Sequence, residues 1–545
     1  MARKKQYEES YAGYIYEKPV TYWTSAEEVK RRLTKVDLAN PAGICAGGMP
    51  VISDGKTAYI DAEDGHTAII ASSGMKKSIC GFMPLIAVLG RAGENMIVTD
   101  PKGELYQRTA GFLQSLGYTV YCLDFRSMDK DCFNILSYAA SVYRSGDKDR
   151  GLSLLSDIIN VLAEDQRKNS KDRFWPDTGA LWLNGTGAIM LDAYPKLEQI
   201  NILNWSDFNV RTSASILEEQ LLSQMPDNTV KSALRQCCSA AENTFRSILI
   251  TASSFFVIFN QNPKLASMLS SNTFTLADLV KPRTALFLVT DDTTSTADPI
   301  LGIILNQIQT YLVDKAFHSK NGRIEPRMNF LLDEFASLPL PNMDKALATH
   351  RSRNIRYYLC AQSLALLKKR YDDPEILLSN CNSSLFLGST ELELLQQIGA
   401  KLGDTDITPD GSTRPLCSPA ELMTLEKAWN YKEAIYMDLS RGIRYSTRLP
   451  SIEAYNLGSN PPPTYRKAPP AIQAYSVAEF AKDVIKNKIR APFSPDSNED
   501  TNTQKHTDKR AHSFCNTPIA NEPEDDMKKE LRKRFTELFG PIDDG

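Results

Sequence analysis

Apolar residues in this chain gather into short unbroken runs more often than they alternate with polar ones. Thr67–Ala71, Asn95–Thr99, Thr119–Leu123, Ala285–Val289, Phe330–Leu332, Arg356–Cys360, Ser384–Leu387 and Ala434–Asp438 are of this kind. Runs of that length predict strands buried on both faces, as in a parallel sheet. Between the second and third runs, Glu104–Leu116 reads as a helix ended by Gly117. Strand and helix in alternation predict a mainly parallel α/β sheet with crossover helices. Further helices are predicted over Pro299–Phe317, over Met343–Arg353, and around Ser25–Val36, where Ser25 and Glu28 have the spacing of a capping box.

From about residue 140 to 275 the pattern changes. Leu152, Leu155, Ile158, Ile159 and Leu162 recur at helical spacing, as do residues around Trp182, Ile189 and Met190. Ala214–Met225, Val230–Thr244 and Phe245–Asn260 continue the helical period. The reading is an all-α domain inserted into the α/β domain. Phe174, Trp175 and Trp182 fit its core better than a base-stacking surface. Arg167, Lys168, Lys171 and Arg173 form a local basic patch, read as a solvated loop or as a contact for phosphate backbones.

After Pro450 the chain turns to proline-containing and then polar sequence, which predicts a linker. Its last stretch places Met527, Leu531, Phe535, Leu538 and Phe539 on one helical face. The expected layout is therefore a polar segment over 1–48, the α/β domain over 49–140 and 276–450, the all-α insert over 141–275, a largely disordered linker over 451–523, and an amphipathic helix over 524–545. That helix reads either as a docking peptide or as a segment folded back on its own domain.

Composition narrows the class only a little. The formal net charge of −3 gives no global basic field, so any nucleic-acid contact must be local. The ten cysteines show no metal-ligand or redox spacing, and the five histidines are isolated, which argues for reduced thiols and against a zinc site. No apolar run reaches the ~18 residues of a spanning helix. The start, M-A-R-K-K-Q-Y-E-E-S, has no apolar run behind its basic residues, so it does not read as a signal peptide. A cytoplasmic chain is expected, reaching the inner face of a membrane only through partners.

The candidate chemistry lies at the ends of the runs. Phe330–Leu332 stops abruptly at Asp333 and Glu334. Ligands of α/β folds sit beyond the carboxyl ends of strands, where one acid can hold Mg²⁺ and the next can polarise an attacking water. The plainer reading is a strand end capped by two solvated acids. Thr67–Ala71 is followed by Ser72, Ser73, Gly74, Met75, Lys76, Lys77 and Ser78, the layout of a phosphate-binding loop running into a helix. Lys77 and Ser78 occupy the positions for contact with terminal phosphates and with Mg²⁺. Two glycines of the usual loop are replaced by Ala71 and Lys76, and Lys76 would either help hold phosphate or keep the loop from closing. Gln362 follows the Arg356–Cys360 run, placed to orient a water or sense a phosphate. Asp100, Lys102 and Glu104 follow another strand end; Pro101 and Gly103 between them also suit a simple turn.

T-D-P-K-G-E-L at Thr99–Leu105, F-N-I at Phe133–Ile135, F-L-L-D-E-F-A at Phe330–Ala336, R-S-R-N-I at Arg351–Ile355, A-Q-S-L at Ala361–Leu364 and L-F-L-G at Leu385–Gly388 occur in that order. Over roughly residues 60–450 the chain resembles the conjugative coupling proteins of type IV secretion, the TraG/TraD group, relatives of the HerA/FtsK translocases. The resemblance implies a RecA-like P-loop NTPase motor with an inserted all-α domain. It implies ATP and Mg²⁺ as cofactors, a homo-hexameric ring, and delivery of a relaxase–DNA complex (the relaxosome) to the secretion channel at the membrane. On its motifs Lys77 would contact the terminal phosphates, Ser78 and Asp333 the metal, Glu334 would be the catalytic base and Gln362 the sensor. Arg353, with Arg351 or Arg356 as alternatives, would reach a neighbour's nucleotide. The departures at Ala71 and Lys76 leave a second reading, a hydrolysis-deficient adaptor that recruits relaxase or protein substrate. Many family members carry N-terminal membrane helices, and this chain shows none.

Overall fold

The computed structural model describes residues 7–9, 15–17, 20–40, 44, 46–211, 216–291, 297–407, 413–457, 460–464 and 472–494. The amphipathic segment expected over 524–545 lies outside them.

The apolar runs become eight strands largely covered on both faces, and a ninth, exposed on one face, joins them at the sheet edge. They are β1 (Thr67–Ala71), β2 (Asn95–Asp100), β3 (Thr119–Asp124), β4 (Thr284–Val289), β5 (Met328–Leu332), β6 (Ile355–Ala361), β7 (Ser383–Gly388), β8 (Tyr431–Asp438) and β9 (Ile443–Pro450). They form one nine-stranded sheet in the order β9-β8-β7-β1-β6-β5-β2-β4-β3. From β7 to β3 every pairing is parallel, while β8 and β9 join antiparallel.

Strand alternation divides the buried side chains between two cores. Ile97, Leu286, Leu288, Phe330, Leu332, Tyr357 and Leu359 face one side. Met96, Val98, Phe287, Leu331, Tyr358 and Cys360 face the other, against the helices Met83–Ala92 and Glu104–Ser115.

Among the described residues, only helices and turns lie between Ser137 and Leu279. Their buried residues, including Trp182 and Trp205, are continuous with the first of the two cores. The start and end of this segment are tied together at the F-N-I motif. Phe133 N–H donates to Met268 O (3.0 Å), and Asn134 Nδ2 donates to Ile200 O (2.7 Å).

Three elements depart from the sequence expectation. The helix begun at Ser25 covers only Ala26–Arg32, and Thr34–Asp37 becomes a strand paired with Thr57–Asp61, which in turn pairs with Met49–Ser53. Thr34 and Val36 are β-branched and suit a pleated surface better than a helix. β9 went unread because Arg444 and Arg448 break its apolar run at an edge position. Within the stretch expected as linker, Val477–Ile485 is a helix. Ser476 and Glu479 form its capping box, and Val477, Phe480, Ala481 and Val484 make a buried stripe. Phe480 packs 4.9 Å from the Tyr194 ring, so this segment is fastened to the helices of 137–279.

Candidate functional site

β1, β6, β5 and β2 lie side by side, so their carboxyl ends share one edge of the sheet. β5 is in register with both neighbours, Leu332 standing opposite Leu359 of β6 and Thr99 of β2. By strand alternation Asp333 continues the face of Leu331, the face covered by the helix that follows β1. Lys77 begins that helical stretch as a single wide turn, Lys77–Phe82, which runs on into Met83–Ala92.

The two side chains meet. Lys77 Nζ is 2.6 Å from Asp333 Oδ1 and 3.5 Å from Glu334 Oε1. Asp333 is 5% exposed. Thr99 Oγ1 donates to its carbonyl at 2.9 Å, locking the strand end. Burial lifts the Asp333 carboxyl above its ordinary value, with Lys77 pulling against it. Burial would also lower the Lys77 ammonium, but the Asp333 carboxylate holds it above its ordinary value. The pair is a charge partnership that neither group could keep alone in that environment.

Glu334 breaks the strand. Its φ of +57° puts a non-glycine residue in the left-handed region, a conformation that costs of order 1–3 kcal/mol and collects at functional positions. Its carboxylate is turned back toward the cluster and accepts from Gln362 Nε2 at 2.8 Å. Lys77, Asp333, Glu334 and Gln362 are thus brought together. Ser78 lies beside Lys77 in the same helical turn, half-buried.

The loop from Ser72 to Lys76 settles which of the two missing glycines matters. Ala71 ends β1 with a negative φ, so that position makes no demand for glycine. Gly74 (φ +77°) and Lys76 (φ +59°) are both left-handed. Lys76 therefore holds the glycine-like conformation of the usual loop at a steric cost. Its side chain is not free to hold phosphate, as the sequence had allowed. Lys76 Nζ donates to Trp429 O at 2.9 Å and also to Ala428 O. Ser72 N–H donates to Gly388 O (3.0 Å) and Met75 N–H to Ser72 O (3.2 Å), which folds the exposed Ser73 and Gly74 outward.

The T-D-P-K-G-E motif is a helix start. Asp100 Oδ2 accepts from Tyr106 N–H at 2.8 Å, and Gly103 turns with φ +73°. Burial pushes Asp100 up to about 6 despite those backbone donors. Lys102 and Glu104 are exposed beside it.

The arginines are elsewhere. Arg351 and Arg353 lie in the turn His350–Arg353 before β6, and Gln362 follows its far end. At ~3.3 Å per residue the strand sets Arg353 on the order of 20 Å from the cluster. Arg356 is excluded as a mobile finger. It is 1% exposed and donates to Asn329 Oδ1 (2.9 Å), Glu63 O (3.0 Å), Gly47 O (3.0 Å) and Glu94 Oε2 (2.9 Å).

Sequence reasoning missed Thr99 as a clamp on Asp333, and it missed the carbonyls of Ala428 and Trp429 that hold Lys76. For Thr99 a signal existed, since it immediately precedes D-P-K-G-E; for the carbonyls none did.

A family model described as Type IV secretory system Conjugative DNA transfer matches residues 22–437. This chain belongs to that family. Among its relatives, the conjugal transfer protein TraG of Escherichia coli is 26% identical over 197 residues, which are 34% of this chain and 31% of TraG. The match thus spans about a third of that relative's length. Among solved structures, the bacterial conjugative coupling protein TrwB in its trigonal form with sulphate is similar with a TM-score of 0.55 at 16% identity, covering 85% of this chain and 98% of that one. TrwB in complex with ADP and Mg²⁺ is similar with a TM-score of 0.53 at 16% identity, covering 82% and 96%. At such identity the likeness concerns the fold, an α/β fold of the TrwB type. Among the described residues no helix is long and apolar enough to cross a membrane.

Proposed function

We propose that this chain is the ATP-hydrolysing coupling protein of a conjugation system. It receives a relaxase–DNA complex and moves DNA into a type IV secretion channel. Family membership supports the setting. The observation that carries the chemistry is the buried Lys77–Asp333 pair at 2.6 Å, flanked by Glu334 and Gln362 at one sheet edge.

TrwB is known in complex with ADP and Mg²⁺ and with a non-hydrolysable ATP analogue. The residues here suit the same ligands. A buried carboxylate and a nearby hydroxyl are the hard oxygen donors Mg²⁺ takes, so Asp333 and Ser78 would hold it, and Lys77 and the loop 73–78 would hold the phosphates. Mg²⁺, when bound, neutralises charge on the transferring phosphoryl oxygens. Glu334 is the base that orients and deprotonates the attacking water, and Gln362 fixes the Glu334 carboxylate and senses the terminal phosphate. Arg353 acts in trans, from a neighbour in a homo-hexameric ring, where its charge stabilises the transition state. In this reading the motor is RecA-like, residues 141–275 are its inserted all-α domain, and secretion components bring the chain to the inner face of the membrane.

The test is phosphate release from ATP in the presence of single-stranded DNA. The wild type is expected to turn over and Lys77→Ala to lose activity by at least a hundredfold. The adaptor reading draws on one observation, the left-handed Lys76. It gains if the wild type binds relaxase yet releases no phosphate with DNA present.

A further inference from the structure

The loop before β8 lies against the phosphate loop, although the two are more than 350 residues apart in sequence (Lys76 to Trp429, 353 positions). Two ammonium groups grip it. Lys432 Nζ donates to Leu425 O (2.9 Å) and Glu426 O (3.3 Å), and Lys76 Nζ donates to Ala428 O and Trp429 O. Lys432 is 0% exposed, and burial depresses its pKa. A buried ammonium satisfied only by carbonyls is costly to keep. Here it fixes the path of five residues, Leu425 to Trp429.

Lys427 sits at the middle of that path, between the two grips. Its ammonium stands over the phosphate loop: a Cβ built on Gly74 would be 3.9 Å from Lys427 Nζ. The neighbouring acids are engaged elsewhere, because Glu426 and Glu433 both pair with Arg448, at 3.4 and 3.3 Å. Lys427 itself is exposed at the loop surface. Lys427 thus adds an ammonium from outside the phosphate loop to the one that Lys77 supplies from within it, and an added positive charge at that loop suits a polyanion.

We propose that Lys427 is a further phosphate-binding residue of the nucleotide site, reaching it from outside the phosphate loop, and that Lys76 is the positioning residue that holds it there. This rests on the nucleotide reading given above. It gives the missing glycine a purpose. A glycine at 76 would relieve the left-handed strain but release the 428–429 carbonyls, and Lys427 would lose its place over Gly74.

The experiment uses the full chain with a fluorescent, N-methylanthraniloyl-labelled ATP and Mg²⁺. Lys77→Ala tests the site itself and should abolish binding. Wild-type protein that fails to bind, or Lys77→Ala that binds as well as wild type, overturns the nucleotide reading and this proposal with it. Where Lys77→Ala is lost, Lys427→Ala should weaken affinity roughly tenfold, as for one charge-assisted contact, and Lys427→Arg should restore most of it. Lys427→Ala binding at wild-type affinity overturns the proposal while leaving the site standing. Lys76→Gly should weaken binding as Lys427→Ala does; tighter binding shows that the lysine is only a strained substitute for glycine. Trp429, 86% exposed in the same loop, supplies a readout of placement. Energy transfer from tryptophan to the bound probe should fall in Trp429→Phe at unchanged affinity and in Lys76→Gly. Transfer that is the same in all three proteins means the loop does not lie beside the nucleotide.

Discussion

The two ends of the central strands both carry charge, and they carry it differently. At the amino ends Arg356 spends its guanidinium on Asn329, Glu63, Gly47 and Glu94 and lies over the Tyr358 ring at 5.2 Å. Arg327 reaches Asp64 and Glu94, Arg323 reaches Asp64, and Asn354 closes the turn between them. His66 accepts from Tyr357 N–H (3.1 Å) through Nδ1 and meets Leu347 O (2.9 Å) through Nε2. These groups are all paired, and the left-handed backbone among them falls at Asn354 (φ +66°), a residue type that tolerates it. At the carboxyl ends Glu334 and Lys76 hold left-handed backbone, Asp100 is pushed up to about 6, and Asp333 is displaced upward by burial. Saturation marks a structural network. The carboxyl ends differ in setting two bulkier charged residues, Glu334 and Lys76, in left-handed backbone around a cluster of facing charges, which is where strain and displaced titration collect when a site serves a ligand.

The contrast can be broken most severely at Arg356. Arg356→Ala leaves Glu94 buried without its closest cation and strips two backbone carbonyls of a donor. About 3–5 kcal/mol of stability should be lost, read as a lowered urea midpoint. An effect under about 1 kcal/mol would mean that the amino-end network is ornamental.

The two ends should also answer pH with opposite sign. His66 is depressed from 6.5 to about 4, first by burial, so the unfolded chain takes up its proton before the folded one. Its contribution is present above pH 6.5 and is lost as pH falls toward 4. The stability advantage of wild type over His66→Gln should shrink by about 2–3 kcal/mol across that window. Asp100 is raised from 3.8 to about 6, so the folded chain keeps a proton that the unfolded chain has released. Its contribution is present below 3.8 and is lost as pH rises to 6. Asp100→Asn should therefore gain on wild type by about 2 kcal/mol between pH 4 and 6. Parallel slopes for the two variants would remove the distinction between the ends. At the half-exposed rim of the amino-end network, Arg323→Ala should cost no more than about 1 kcal/mol, because solvent screens its pair with Asp64.

The sheet was legible because its central strands are covered on both faces, so Ala68–Ala71, Met96–Val98 and Phe330–Leu332 are apolar without interruption. What alternates or lies at an edge was not legible. Thr34–Asp37 and Ile443–Pro450 mix charge into each strand. The helix Val477–Ile485 is short and has its buried partners near Tyr194, far away in sequence. At the site, Lys77, Asp333, Glu334 and Gln362 each end or follow an apolar run, and parallel strands bring such ends together. Arg356 read as the start of a strand and as an alternative to Arg353, and only the fold reveals Glu94 beside its guanidinium. Lys76 looked like damage to a loop, and the carbonyls of Ala428 and Trp429 that it holds belong to sequence no local pattern connects to it.

The most direct measurement separates binding from hydrolysis in Glu334→Gln. The substitution keeps an acceptor for Gln362 and the shape of the turn but removes the base. With saturating ATP, Mg²⁺ and single-stranded DNA, phosphate release should fall at least a hundredfold, while nucleotide affinity stays within about threefold of wild type, a difference under ~0.7 kcal/mol. Hydrolysis at the wild-type rate by Glu334→Gln would contradict the assignment of the strained carboxylate as the base and, with it, the carboxyl-end cluster as the site of hydrolysis.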